Sequence, residues 1–157
     1  MVAEELRMRE PAFWSLALVD IADPDYTQVW VDVLPAHASA DPSAWARNLL
    51  STSALPRWIA LSLAGLAALR RRPARCDSLA VTRVEGDEAL VAVNARRLDV
   101  RVGVGVDEKS SLVRVVAAMR FKGAGGRLAS LPLRAGLALL ARGMIARARR
   151  DMSGVTR

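Results

Sequence analysis

Leu98-Asp99-Val100-Arg101-Val102-Gly103-Val104-Gly105-Val106 is the stretch on which the fold turns. Its even positions are apolar and its odd positions are charged or glycine, the period of a strand with one buried face. After a turn-like Asp107-Glu108-Lys109-Ser110-Ser111, the alternation resumes through Val113, Val115, Ala117, Met119 and Phe121. A glycine-rich break, Gly123-Ala124-Gly125-Gly126, leads into a helical pattern in which Leu133, Leu137, Leu140 and Met144 recur at i, i+4, i+7 and i+11. Two strands and a long amphipathic helix make a core in outline: an apolar stripe laid over the apolar face of an antiparallel sheet.

Upstream of this stretch, Ser78 to Val84 and Ala89 to Asn94 read as strands joined by a Glu85-Gly86-Asp87 turn, a hairpin that continues the meander. Tyr26 to Val33 reads as the first strand. Thr27, Val29, Val31 and Val33 lie on one face, and Tyr26, Gln28, Trp30 and Asp32 on the other. Trp30 and Val29 point opposite ways, so only one of them faces inward. Asp41-Pro42 has the form of an N-cap followed by proline at the first helical position, predicting a helix over about Pro42 to Leu50. A second helix is predicted from Pro56 to about Arg71. Its segment Trp58 to Leu69 is apolar on nearly every side but shorter than the roughly 20 residues that span a bilayer. A buried core helix and a partner-binding helix both fit it.

The expected division is an N-terminal extension over residues 1–20, one domain over 21–150 and a tail over 151–157, with Phe13 to Ile21 as an arm on the main body. At 157 residues and 52% hydrophobic composition, one domain can bury about 70% of its unfolded surface. Charge is unevenly spread. From Arg120 to Arg157 there are nine basic residues against the single acid Asp151, so the net +7 of the chain resides in its last quarter. Arg134, Arg142 and Arg149 fall roughly opposite the leucine stripe. They form either the solvated back of a core helix or a face for acidic partners. Scarce aromatics and the lack of a recognition motif argue against nucleic acid.

The single cysteine, Cys76, excludes an internal disulfide and a cysteine-rich metal site. The single histidine, His37, lies in a loop-like stretch between Pro35 and Pro42; a surface role is expected there, and a multi-histidine metal site is excluded. No metal and no cofactor are expected. Met1-Val2-Ala3-Glu4-Glu5 lacks the basic start of a secretory signal, so a cytoplasmic location is the expectation.

In this order of elements the chain resembles the helix-grip fold of the START-like superfamily. That superfamily includes the plant pollen-allergen proteins and the polyketide cyclase/dehydrase and lipid-transport group. The resemblance is most specific to a bacterial branch common in actinobacteria. It rests on Asp25-Tyr26 at the first strand, Pro42 to Trp45 with Ala46-Arg47 on the first helix, and Arg97-Leu98-Asp99-Val100-Arg101-Val102 on a late strand. Arg120-Phe121 and Gly126-Arg127-Leu128 before the last helix also match, so the likeness covers about Ile21 to Arg150. In that branch an Asp tends to stand where this chain has Gln28, and a His where it has Arg97. Both departures remove groups able to move protons near neutral pH. The resemblance implies an α+β helix-grip fold: a curved antiparallel sheet wrapped around a long C-terminal helix, with two shorter helices after the first strand.

It also implies an apolar cavity between sheet and helix. The expected ligand-binding residues are Tyr26, Trp30, Trp58, Val102, Met119, Phe121, Leu137, Leu140 and Met144. Methionine and large aromatics suit irregular apolar shapes. The plainer reading is that such side chains simply fill the core. No catalytic set is assigned. Asp99, Arg101 and Arg120 are the candidates for a carboxylate–guanidinium cluster, together with Arg114. They lie opposite the valine face, however, where cross-strand ion pairs are the simpler expectation. The glycine-rich 123–126 loop lacks the ending of a phosphate loop and reads as a connector.

The implied function is the binding of a polyketide- or lipid-like molecule. Either the chain is a cofactor-independent cyclase of natural-product biosynthesis, working by orientation and exclusion of water, or it carries such a ligand without chemistry. An interaction module with a basic face is the third alternative. A second copy of the chain is a candidate partner.

Overall fold

The computed structural model describes residues 14–51, 80–94, 98–123 and 141–153. The second helix predicted from Pro56, the N-terminal residues before Trp14, Trp58, Leu133, Leu137 and Leu140 lie outside the described residues. Within them the elements are α1 (Leu16–Val19), β1 (Tyr26–Val33), α2 (Pro42–Leu49), β2 (Arg83–Glu85), β3 (Glu88–Asn94), β4 (Leu98–Asp107) and β5 (Leu112–Phe121). A C-terminal helix, α3, is described over 141–152. The architecture is α+β, with all five described strands in one antiparallel sheet of order β1-β5-β4-β3-β2.

The sheet forms where the alternation predicts it. Val100 pairs with Met119, Val102 with Ala117, Val104 with Val115 and Val106 with Val113, so the apolar sets of β4 and β5 share one face. On β3, Val91 opposes Val102 and Ala89 opposes Val104; on β1, Trp30 opposes Val115 and Gln28 opposes Ala117. This inner face carries the main core. Val91, Val104, Val106, Val113 and Val115 pack with Trp45, Ala46 and Leu49 of α2 and with Ile145 and Ala148 of α3. Trp30 packs against this cluster, so the Trp30 side of β1 is the inward one.

Local chemistry accounts for α2. Asp41 caps it, its Oδ1 accepting from the Ser43 N–H at 2.9 Å, and Pro42 occupies the first turn. Trp45 is fully buried, with its indole N–H donating to the Ser39 carbonyl at 2.7 Å. Burying that ring contributes about 4–6 kcal/mol of transfer free energy. The α3 helix runs to 152, two residues beyond the expected domain limit, before a turn at Ser153.

Two strand boundaries differ from expectation. Of the strand predicted over Ser78 to Val84, residues 78 and 79 lie outside the described residues, 80–82 stand outside strand pairing, and regular pairing holds from Arg83. There both the N–H and the hydroxyl of Thr82 bond to the Leu90 carbonyl, at 2.8 and 2.9 Å. This side-chain competition for a ladder acceptor ends regular pairing. The hairpin turn is the two-residue Gly86-Asp87, and Gly86 takes a φ of +58° that favours glycine.

Candidate functional site

Three features bear on function: the inner face of the sheet, a buried polar cluster on its outer face, and a cleft beside α3.

Across the inner face, residues on neighbouring strands fall in rows. Ala89, Val104 and Val115 are sealed, as are Val106 and Val113. Two adjoining rows are not. In Val93–Val100–Met119–Tyr26, only Met119 is fully buried; in Val91–Val102–Ala117–Gln28, Val102 and Gln28 stay half-buried. Val100 and Val102 on β4 are paired on both sides, so their exposure comes from above the sheet and not from its edge; Val93 lies beyond the three residues of β3 that β2 pairs. Leu98, Met119 and Phe121 form a second apolar cluster at this end, with Tyr26 and Val100 packed on it. One polar pair accompanies it, the Tyr26 hydroxyl donating to Gln28 Oε1 at 3.2 Å. The structure thus brings Tyr26, Val102, Met119, Phe121 and Trp30 to one face. Met144 of α3 packs, as Trp30 and Val102 do, against the main inner-face cluster. Trp58, Leu137 and Leu140 lie outside the described residues.

The charged candidates are on the opposite face. Asp99 is buried between Lys122 at 2.7 Å and Arg120 at 3.5 Å. Arg101 pairs with Asp20 and donates to Asn94 Oδ1 at 2.9 Å. Asp99 and Arg120 are cross-strand partners, while Arg101 turns to other groups, so the set does not converge on one point.

The outer face is not simply a solvated surface. Leu90, Gly103, Val116 and Val29 form one row across β3, β4, β5 and β1, and α1 lies on it through Leu16 and Ala17. Under this helix the Glu88 side chain is fully buried. Its Oε1 accepts from the Ser15 hydroxyl at 2.6 Å, and its Oε2 meets Arg114 at 3.2 Å. Ser15 also caps α1, accepting from the Ala17 N–H at 3.3 Å. Gly103 makes this possible, since a Cβ there would stand 2.0 Å from Glu88 Oε1. The Arg114 guanidinium lies over Gly105 in the same way, 3.4 Å from where a Cβ would be. The glycines of the Val-Gly-Val-Gly-Val run are therefore a trough for a carboxylate and a guanidinium. Sequence reading missed Ser15 and Glu88. The signal was the glycine pair, whose bare positions on one strand face ask what lies over them.

The basic helix face is also more engaged than a solvated back. Arg149 reaches the inner-face Asp32 at 2.9 Å, and Arg147 pairs with Asp151 at 3.5 Å, while Arg142 is exposed. Arg134 lies outside the described residues. Between Pro35 and α3 a surface cleft of about 320 Å³ is lined by Ala146, Arg149, Arg150 and Ser153. His37 sits at the surface in a turn with a φ of +66°, as a loop residue. Among the described residues no group of three or more His, Cys, Asp or Glu side chains could hold a metal ion. Likewise, no described helix is long and apolar enough to cross a membrane.

Of the described ionisable groups, Asp107 stands out. Hydrogen bonds from the Ser110 hydroxyl and backbone N–H, then from the Lys109 N–H, hold its carboxyl below the ordinary value of 3.8. It lies in the exposed β4–β5 turn, far from the half-open inner rows, and serves to shape that turn.

Comparison with known proteins gives no match of any kind: no family model, no curated protein and no solved structure is significantly similar to the chain.

Proposed function

We propose that the chain binds a hydrophobic small molecule, polyketide- or lipid-like, against the inner face of the sheet under the C-terminal helix. The observation that carries this reading is the half-exposure of Val100 and Val102, which are paired on both sides within the sheet, beside rows that are sealed. Apolar side chains left open at the centre of a core-facing surface gain free energy from any apolar molecule that covers them, about 25 cal/mol per Å² removed from water. Met119 supplies an adaptable wall and Trp30 a broad one. The Tyr26–Gln28 pair gives the ligand one polar anchor, which fixes orientation.

Binding without chemistry suits this face better than cyclisation. Its polar residues among those described are Tyr26, Gln28 and Asp32, and Asp32 is held by Arg149. A phenol and an amide make poor proton carriers at neutral pH, so cyclisation here would rest on orientation alone. Asp99, Arg101 and Arg120 turn away from the face altogether.

Native mass spectrometry of the purified protein, compared with a denatured sample, tests the proposal. A released small molecule, lost from a Val102→Trp variant that fills the open rows, is the expected result. An unliganded mass, with no thermal shift from decanoate or a naphthoquinone, would overturn it.

A further inference from the structure

The two edges of the sheet are built differently. β2, at one end, is three residues long and bears Arg83 and Glu85, paired with each other. Short, charged edges are protected against strand addition. β1, at the other end, is eight residues of regular strand, Tyr-Thr-Gln-Val-Trp-Val-Asp-Val, with one charge and no lysine or proline.

The phase of the β1–β5 ladder shows which groups of β1 face outward. The Leu34 N–H donates to the Ser111 carbonyl at 2.8 Å, in register with Val33 opposite Leu112. Even-numbered residues of β1 therefore turn their backbone groups to β5, and Thr27, Val29, Val31 and Val33 turn theirs outward. The Val33 N–H is taken by its neighbour, Asp32 Oδ1, at 2.7 Å. Among the described residues nothing hydrogen-bonds the N–H groups of Thr27, Val29 and Val31. Nor is this end of the strand covered, since Val31 is 57% and Val33 54% exposed.

From this geometry we infer that the chain forms a homodimer in which β1 pairs antiparallel with β1 of a second copy. The two sheets then become one. The inference is independent of the ligand-binding reading, because it uses the edge of the sheet and not its inner face.

Self-complementarity selects the partner. The register that leaves Val33 on Asp32 places Val29 of both copies on the two-fold axis and Thr27 opposite Val31 of the second copy. Every outward N–H and C=O of these three residues then finds a partner. On the outer face β-branched side chains meet one another: Val29 with Val29, and Val31 with Thr27. On the inner face Trp30 meets Gln28, and Asp32, the one charge of the strand, meets the uncharged Tyr26. No like charges are opposed. An unrelated edge strand would have to match this pattern by accident, whereas a second copy matches it by symmetry.

Sedimentation velocity of the full chain from about 1 to 100 μM tests the proposal, over a range where micromolar to millimolar pairing is visible. The expected result is a species of twice the chain mass. Val31→Lys changes an exposed side chain and sets two lysines at the interface. It should weaken the dimer at least about 100-fold, because the two-fold axis applies each change twice. Val31→Pro, which removes an N–H that β5 does not use, should do the same. Val84→Lys, at the exposed β2 edge, should leave the dimer intact, and urea midpoints confirm that each variant folds. In a Cys76→Ser background, Thr27→Cys with Val31→Cys should form an intermolecular disulfide, since paired Cα atoms about 5.5 Å apart suit that bond. A chain that stays monomeric at 100 μM, a Val31→Lys protein as dimeric as the wild type, or a dimer that never forms the disulfide would each overturn the inference.

Discussion

Replacing Gly103 by alanine tests the buried cluster on the outer face. The added Cβ would stand 2.0 Å from Glu88 Oε1, 3.0 Å from Ser15 Oγ and 3.2 Å from Glu88 Cδ. The first distance cannot exist, so the carboxylate must move. Glu88 is fully buried and its room is limited, and moving breaks the 2.6 Å hydrogen bond from Ser15. A hydrogen bond to a charged group contributes about 1.5–3 kcal/mol, and forcing extra volume into a packed site costs about 1–3 kcal/mol more. Alanine recovers about 0.5–1 kcal/mol of backbone entropy relative to glycine. The net expectation is a loss of about 2–5 kcal/mol for Gly103→Ala. Gly105→Ala is the internal control. Its Cβ would meet Arg114 at 3.4 Å, ordinary van der Waals contact, so the substitution should be neutral or slightly stabilising. Urea unfolding of the three proteins measures both differences. Equal stabilities for the two variants, or a Gly103→Ala protein within about 0.5 kcal/mol of wild type, would refute the reasoning.

Other perturbations read other parts of the fold. Ser15→Ala leaves a buried carboxylate oxygen without its hydroxyl and removes the cap of α1. It should cost about 1–3 kcal/mol and speed amide exchange over residues 16–20 relative to β4; unchanged exchange there would count against the clamp. Asp41→Ala should lower stability by about 1 kcal/mol through loss of the α2 cap, visible as a lower thermal midpoint by circular dichroism. Ser110→Ala should raise the Asp107 pKa toward 3.8, followed by the side-chain carboxyl signal in an NMR titration. Because that pKa is depressed in the fold, the stabilisation it brings is present above the unfolded value and lost as pH falls through the folded one. The variant should therefore differ least from wild type in acid.

Much of this architecture was legible because a strand with one buried face writes its period into the chain. The Val/Gly and Val/Arg alternation of β4 located both faces, while the register with β5 that places Val102 opposite Ala117 is seen only in the structure. Asp41-Pro42 marked the start of α2 for the same local reason, a cap and a residue with a pre-set φ. What stayed hidden depends on distant partners. Nothing in Leu16-Ala17-Leu18-Val19 says that it lies across Leu90, Gly103 and Val116, because the pairing spans more than seventy residues of chain. Arg149 likewise reads as a solvated helix residue until Asp32 comes opposite it. The direction of Trp30 was open from sequence because β1 has β-branched residues on one face and aromatics on the other; only packing against α2 and α3 decides it.

Methyl NMR of methionine-labelled protein reports directly on whether an apolar ligand covers the half-open rows around Met119. The chain has five methionines, of which Met119 lies in the proposed wall, while Met144 and Met152 pack against a different cluster from Met119. Titration with decanoate and with a naphthoquinone should shift the Met119 methyl saturably and by the largest amount, and Val102→Trp should abolish the shift. A Met119 signal that never moves, or shifts spread equally over all the methionines, would contradict the account.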